Sequence, residues 1–115
     1  MHANISTLGE GAFYRCNFTS INLPNTLISI EESCFGACAE LSDITIPSSV
    51  ETIGTYAFSF CAKLSSISIP TGSISKISNG TFYTSGLTSI IIPESVTTIG
   101  ASAFHDCSNL TSVTI

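Results

Sequence analysis

The residues of this chain best equipped for chemistry are five cysteines, Cys16, Cys34, Cys38, Cys61 and Cys107, and the adjacent pair His105 and Asp106. No two cysteines form a C-x-x-C pair, the spacing that zinc ribbons and thioredoxin-like redox sites require. The count is odd, so at least one thiol is free unless chains are cross-linked. Neighbouring residues in a short turn are expected to send their side chains apart, so His105 and Asp106 should diverge rather than relay a proton. His2 is terminal. No G-x-S-x-G, H-E-x-x-H or phosphate-binding loop occurs. The expectation is a chain that is not an enzyme, with no catalytic residues, no cofactor and no metal site.

The totals narrow the class further. The 115 residues carry 3 basic and 8 acidic side chains, a net charge of −5. Binding nucleic acid needs a basic patch that displaces phosphate counterions, so no nucleic-acid partner is expected. No apolar run reaches the roughly 18 residues of a membrane span, so no membrane insertion is expected. The start, M-H-A-N-I-S-T-L, lacks the charged-then-apolar pattern of a signal peptide. Hydrophobic residues make up 43% and charged residues 10%, with 20 Ser and 14 Thr. Such an Ile/Ser/Thr composition suits strands better than helices. The apolar residues are also too frequent and too regular for disorder.

Those chemical residues fall into place once the chain is aligned on itself. Pro24, Pro47, Pro70 and Pro93 lie 23 residues apart. Ahead of each stands an alternating apolar pair: Ile21/Leu23, Ile44/Ile46, Ile67/Ile69 and Ile90/Ile92, continued by Val113/Ile115. A second apolar pair precedes Phe13, Phe35, Phe58, Phe82 and Phe104 by five residues. Three residues after each Phe comes Cys16, Cys38, Cys61, Ser85 or Cys107. The unit reads V-x-x-I-G-x-x-A-F-x-x-C-x-x-L-x-x-I-x-I-P-x-x, and five copies cover nearly the whole chain. The segment after Pro70 has one residue more than its counterparts, and the one after Phe82 has one fewer, as does the segment after Phe13. The spacing predicts a single array with approximate coils 5–26, 27–49, 50–73, 74–95 and 96–115.

The alternation of I-x-I predicts a strand with both apolar side chains on one face. A strand every 23 residues predicts a parallel stack, ended in each coil by a Pro that has no N–H to donate. A-F-x-x-C is too short for a stable helix and predicts one helical or 3₁₀ turn. Gly9, Gly54 and Gly100 are expected at turns that a side chain would hinder. The Phe column is expected to be the spine of the core. The Cys column is expected to hold small buried side chains whose S–H bonds a loop carbonyl. A disulfide between Cys38 and Cys61 is allowed by spacing but disfavoured, because stacked equivalents point the same way. Tyr14, Tyr56, Phe60 and Tyr83 lie near the same turn, where they are expected to cover the loops of their own coils or, alternatively, to form a contact patch. Asn4, Asn17, Asn79 and Asn109 lie in N-x-S/T sequons, which matter only in a secreted protein.

This set of landmarks, I-P, I-G, A-F and C-x-x-L in a 23-residue unit, resembles the BspA-like, Treponema-type leucine-rich repeats across essentially all 115 residues. The resemblance implies a right-handed α/β-type superhelix, mostly parallel β, with a concave sheet made by the I-x-I-P segments. It also implies a convex side of short strands and turns. It further implies a surface or secreted protein that takes part in adhesion and binds host matrix or cell-surface proteins. The family has no catalytic residues to carry over. The chain starts inside a partial coil and stops at Ile115 with no capping segment. The expectation is therefore a segment of a longer array, or an array whose ends meet another copy as a self-associating scaffold and homo-oligomer.

Alternation also identifies the outward positions of the I-x-I-P strands. One column is Ser20, Asp43, Ser66, Ser89 and Ser112. The other is Asn22, Thr45, Ser68, Ile91 and Thr114. The candidate binding residues are Asp43, Thr45, Ser66, Ser68, Ser89, Ile91, Ser112 and Thr114. Ile91 is the one apolar member of a hydroxyl-rich face and is expected to be exposed to solvent.

Overall fold

The computed structural model describes residues 5–115. His2 and the sequon at Asn4 lie outside the described residues. The chain winds into a stack of similar coils, each referred to below by its phenylalanine. Short parallel strands form two columns. One contains β1 (Thr7–Leu8), β3 (Ser29–Ile30), β5 (Thr52–Ile53), β6 (Lys76–Ile77) and β8 (Thr98–Ile99). The other contains β2 (Ser20–Ile21), β4 (Asp43–Ile44), β7 (Ser89–Ile91) and β9 (Ser112–Thr114). Equivalent residues pair in register: Ile30 with Ile53, Ile21 with Ile44, Ile90 with Val113. The apolar pairs therefore point inward, as the alternation requires, and Ile44, Ile46, Ile67, Ile69, Ile90 and Ile92 are buried.

The A-F-x-x-C segment is not helical. Among the described residues there is no helix, which corrects the expected helical or 3₁₀ turn. Instead, each segment is a run of overlapping turns. Ala12, Tyr14 and Cys16 donate to the carbonyls of Gly9, Gly11 and Phe13. The alternate N–H groups, on Gly11, Phe13 and Arg15, donate to Glu32, Cys34 and Gly36 of the next coil. The same three-bond ladder recurs between every neighbouring pair of coils, at 2.7–3.0 Å. A helix would keep all these N–H groups within its own segment; the turn run shares them between coils. This geometry needs positive φ two residues before and two after each Phe. Ser33 and Ala37, Tyr56 and Phe60, and Ser102 and Asp106 all have φ between 55° and 58°.

The phenylalanines stack through this ladder. Phe13–Phe35, Phe35–Phe58, Phe58–Phe82 and Phe82–Phe104 have centroid separations of 5.5, 5.3, 5.9 and 5.6 Å, with ring planes within 16° of parallel. Phe35, Phe58 and Phe82 are fully buried.

One junction departs from the regular stack. Between the Phe58 and Phe82 coils both strand columns part: β1-β3-β5 is one sheet and β6-β8 another, while β2-β4 and β7-β9 are also separate. A single bridge, Thr45 to Ser68, extends the I-x-I-P column from β4 into the Phe58 coil. The expected continuous stack of strands is therefore interrupted, at the junction where the inserted residue lies. Leu27, Val50 and Val96 each close a turn onto the carbonyl of the preceding Pro. The extra residue between Pro70 and Ile74 moves the chain out of that turn. Where Gly54 N–H and Gly100 N–H bond Ile30 and Ile77 of the preceding coil, the Ser78 side chain takes over, its buried hydroxyl donating to the Ile53 carbonyl at 2.6 Å. On the other side the shortened loop draws Gly86 onto the Phe58 coil, where its N–H bonds the Cys61 carbonyl at 3.0 Å. The turn ladder and the Phe stack cross the junction intact.

Gly54 and Gly86 answer to this close approach, while Gly11 and Gly80 serve the positive φ of the turns. A Cβ on Gly54 would lie 2.7 Å from the Glu31 backbone, whereas one on Gly9 would meet nothing. A Cβ on Gly86 would lie 2.0 Å from the Ala62 carbonyl oxygen, a backbone atom that cannot swing aside.

Two stability predictions follow from the stack and the junction. Phe58→Ala should cost about 3–5 kcal/mol through lost burial and the cavity left behind. Gly86→Ala should cost about 1–3 kcal/mol by forcing the two coils apart. Urea unfolding of both variants checks these values, and an unchanged midpoint for Gly86→Ala would contradict the close approach described.

Candidate functional site

The cysteine column is a structural feature. All five thiols are free, and Cys34, Cys38 and Cys61 are buried. Cys38, Cys61 and Cys107 donate their S–H to the carbonyls of Phe13, Phe35 and Phe82 of the preceding coil, at 3.1, 3.2 and 3.0 Å. In the shortened loop Ser85 fills the slot, with its hydroxyl 3.4 Å from the Cys107 sulfur. Each of these three thiols thus adds a second, inter-coil bond to a Phe carbonyl that already accepts a backbone N–H within its own turn. Burial pushes the Cys34 thiol up to about 11 and the Cys61 thiol up to about 12, and it raises Cys38 as well. These three are poor nucleophiles, because the thiolate is the reactive form.

His105 and Asp106 depart from expectation. They do not diverge: His105 Nε2 lies 3.5 Å from Asp106 Oδ2. The positive φ of Asp106, 57°, turns the chain so that the two side chains meet. Both are exposed, and the imidazole stacks on the Tyr83 ring at 5.2 Å. Among the described residues no serine or cysteine is hydrogen-bonded to this imidazole; the nearby Cys107 thiol donates to the Phe82 carbonyl instead. Those residues also contain no cluster of three or more His, Cys, Asp or Glu side chains able to hold a metal ion.

Two of the aromatic side chains at the turns reach beyond their own coils. The Tyr14 ring lies against Gly36 and the Tyr56 ring against Gly80, in each case one coil further on. Tyr14, Tyr56 and Phe60 remain substantially exposed.

The I-x-I-P face holds the candidate binding residues. Asp43, Thr45, Ser66, Ser68, Ser89, Ile91, Ser112 and Thr114 are all exposed and share one side of the β2/β4/β7/β9 column. Ser89 stands opposite Ser112, and Ile91 opposite Thr114. At the start of each strand a backbone bond and a hydroxyl bond converge on one carbonyl. Thr88 N–H and Oγ1–H both reach Ser65 O, at 2.9 and 3.2 Å, and Thr111 reaches Thr88 O in the same way. Beyond the Thr88 tie, the Phe58 and Phe82 coils separate. A shallow depression of about 320 Å³ here is lined by Ser66, Ile67, Ser68, Ile69, Ser89, Ile90 and Ile91, and a similar one of about 270 Å³ lies on the same face over the paired β2 and β4. Ile91 stands at its rim with 69% of its surface exposed. Sequence reasoning found each of these residues, but it did not find that the face is split beside Ile91. The paired insertion after Pro70 and deletion after Phe82 were the available signal.

Short parallel strands repeated at a 23-residue interval around an inward Ile/Leu and Phe core define a leucine-rich-repeat solenoid. The profile of the BspA-type leucine-rich repeat region (6 copies) matches residues 5–115, and the chain belongs to that family. It is similar to a leucine-rich repeat protein of Treponema pallidum, with 32% identity and a TM-score of 0.91 over 95% of this chain and 51% of that one. A leucine-rich repeat protein from Bacteroides ovatus is 38% identical, with a TM-score of 0.91 over 96% of this chain and 29% of that one. A leucine-rich cell surface protein from Faecalibacterium prausnitzii is 26% identical, with a TM-score of 0.53 over 95% of this chain and 42% of that one. The chain thus spans about half, or less, of the length of these relatives. No curated protein matches it. Leucine-rich repeat proteins are in general non-enzymatic protein-interaction modules. No helix of the described residues is long and apolar enough to cross a membrane.

The raised thiol values have a measurable consequence. The folded state favours the neutral thiol, so its stabilising contribution is complete below the ordinary thiol range and is lost as pH rises through the folded values. Stability should therefore fall between pH about 9 and about 12. Cys61→Ala should flatten that fall, which urea midpoints across the alkaline range would measure. Equal slopes for the two proteins would show that Cys61 is not the group responsible.

Proposed function

We propose that this chain is a non-enzymatic protein-binding module of the surface-adhesion type, and that the I-x-I-P face makes the contact with Ile91 as its apolar anchor. The observation that carries this reading is the position of Ile91. A β-branched apolar residue stands exposed in a column otherwise filled by Asn22, Thr45, Ser68 and Thr114, at the rim of the depression where the sheet is split. Folding does not call for Ile there, since Thr and Ser occupy the same position in neighbouring coils. Exposed apolar anchors beside a pocket and ringed by small polar groups are the usual architecture of binding hot spots. The small hydroxyl side chains leave the face flat enough for an extended partner and supply donors and acceptors at its edge.

A surface location and a matrix or cell-surface partner are supported by the family membership and by the cell surface protein among its structural relatives. The family membership supports a binding role over a catalytic one.

The test is capture from solubilised host matrix on the immobilised protein, followed by mass spectrometry, with Ile91→Thr and Ser68→Arg in parallel. Ile91→Thr should weaken capture at least tenfold, in keeping with about 2 kcal/mol for a buried anchor. Ser68→Arg should abolish it by filling the depression. Capture undiminished in both variants would rule out this face, and no capture by the unaltered protein would overturn the adhesion reading.

A further inference from the structure

We infer that the turn edge of the solenoid carries a second docking surface, an aromatic ridge that takes an arginine- or lysine-bearing segment of a protein partner. The ridge consists of Tyr56, Phe60, Tyr83 and His105. Tyr83 is its centre: the Tyr56 and Phe60 rings meet it edge to face at 5.9 and 5.5 Å, and the His105 ring stacks on it at 5.2 Å. The ridge therefore spans three successive coils and crosses the junction at which the strands part.

Folding does not account for its composition. Tyr56 and Phe60 occupy the two positive-φ positions of their coil, at 57° and 58°. A bulky side chain is a costly choice in that conformation, which favours Gly and Asn. The equivalent positions elsewhere hold Gly11, Ser33, Gly80 and Ser102 in one column and Arg15, Ala37, Thr84 and Asp106 in the other. The Tyr56 ring at least closes over Gly80, but Phe60 is 49% exposed and its ring contact is with Tyr83. Strained backbone spent on a half-exposed aromatic side chain points to binding.

The charge pattern selects the occupant. The ring faces are electron-rich, the chain carries a net charge of −5, and the Asp106 carboxylate sits 3.5 Å from His105 at the end of the ridge. None of the four ridge residues is a Lys or Arg. The Phe13 coil shows the complementary arrangement within this same molecule: the Arg15 guanidinium lies 5.5 Å from the centroid of Tyr14, which stands in the Tyr83 column. In the Phe82 coil the residue in place of Arg15 is Thr84, so the chain supplies no cation from that position. A guanidinium from a partner would meet Phe60 and Tyr56 as Arg15 meets Tyr14, with Asp106 adding a charge contact.

Aromatic ¹H–¹³C NMR of the intact protein tests this, by titration with an octapeptide of alternating Arg and Gly, the same peptide with citrulline in place of Arg, and maltohexaose. The Arg peptide should shift the Tyr56, Phe60 and Tyr83 ring signals saturably, leave the Ile91 methyl signals unmoved, and exceed the citrulline peptide. Phe60→Asn suits the local backbone and should keep the fold, yet weaken the Arg peptide about two- to fivefold. The inference is overturned by equal responses to the Arg and citrulline peptides, by a ridge that responds to maltohexaose and not to the peptide, by the absence of saturable shifts, or by full affinity in Phe60→Asn. The Ile91 face takes no part in these outcomes, so the two surfaces stand or fall separately.

Discussion

The interaction on which the rest of this structure depends is the hydrogen-bond ladder of the A-F-x-x-C turns, together with the phenylalanines stacked inside it. It is the inter-coil contact that repeats without interruption along the described stack. Its geometry is demanding. Alternate N–H groups must point along the stack while the others close turns, and two non-glycine residues in most coils accept positive φ to achieve this. Each such residue costs on the order of 1–2 kcal/mol. The return is that buried backbone donors are satisfied between coils and large aromatic rings are buried.

Because that ladder fixes the rise between coils, the strand columns are free to tolerate length changes. An inserted residue before Ile74 and a missing one before Leu87 are absorbed at a single junction. There the sheets part, Ser78 replaces a backbone donor by its hydroxyl, and Gly86 permits contact with Ala62. The proposed binding surface lies at the same junction, where the depression beside Ile91 is lined by residues of both coils.

The polar and sulfur chemistry of the chain is mostly turned inward, toward its own backbone. Thiols cap Phe carbonyls, and the hydroxyls of Ser78, Thr88 and Thr111 cap strand or turn carbonyls. Most of these carbonyls already accept one backbone N–H, and the small side-chain donors use their second lone pair at little cost in volume. What remains for recognition is surface shape, exposed apolar or aromatic side chains, and charge.

The sequence by itself determined the repeat, the parallel strands, the inward columns and the outward position of Ile91. Each of these follows from local periodicity: period 2 sets the face of a strand, and a fixed 23-residue interval sets which residues stack. It also located the thiol-to-carbonyl role of the Cys column, because Ser85 in the same slot specifies a small donor. It did not determine the backbone of the turns, since A-F-x-x-C is compatible with one helical turn until the neighbouring coil offers carbonyls for alternate N–H groups. Nor did it determine the meeting of His105 with Asp106, the packing of Tyr14 and Tyr56 on the following coil, or the parting of the strands between Phe58 and Phe82. These were decided only in the tertiary structure, because each is a contact between coils whose outcome depends on how the stack divides its hydrogen bonds.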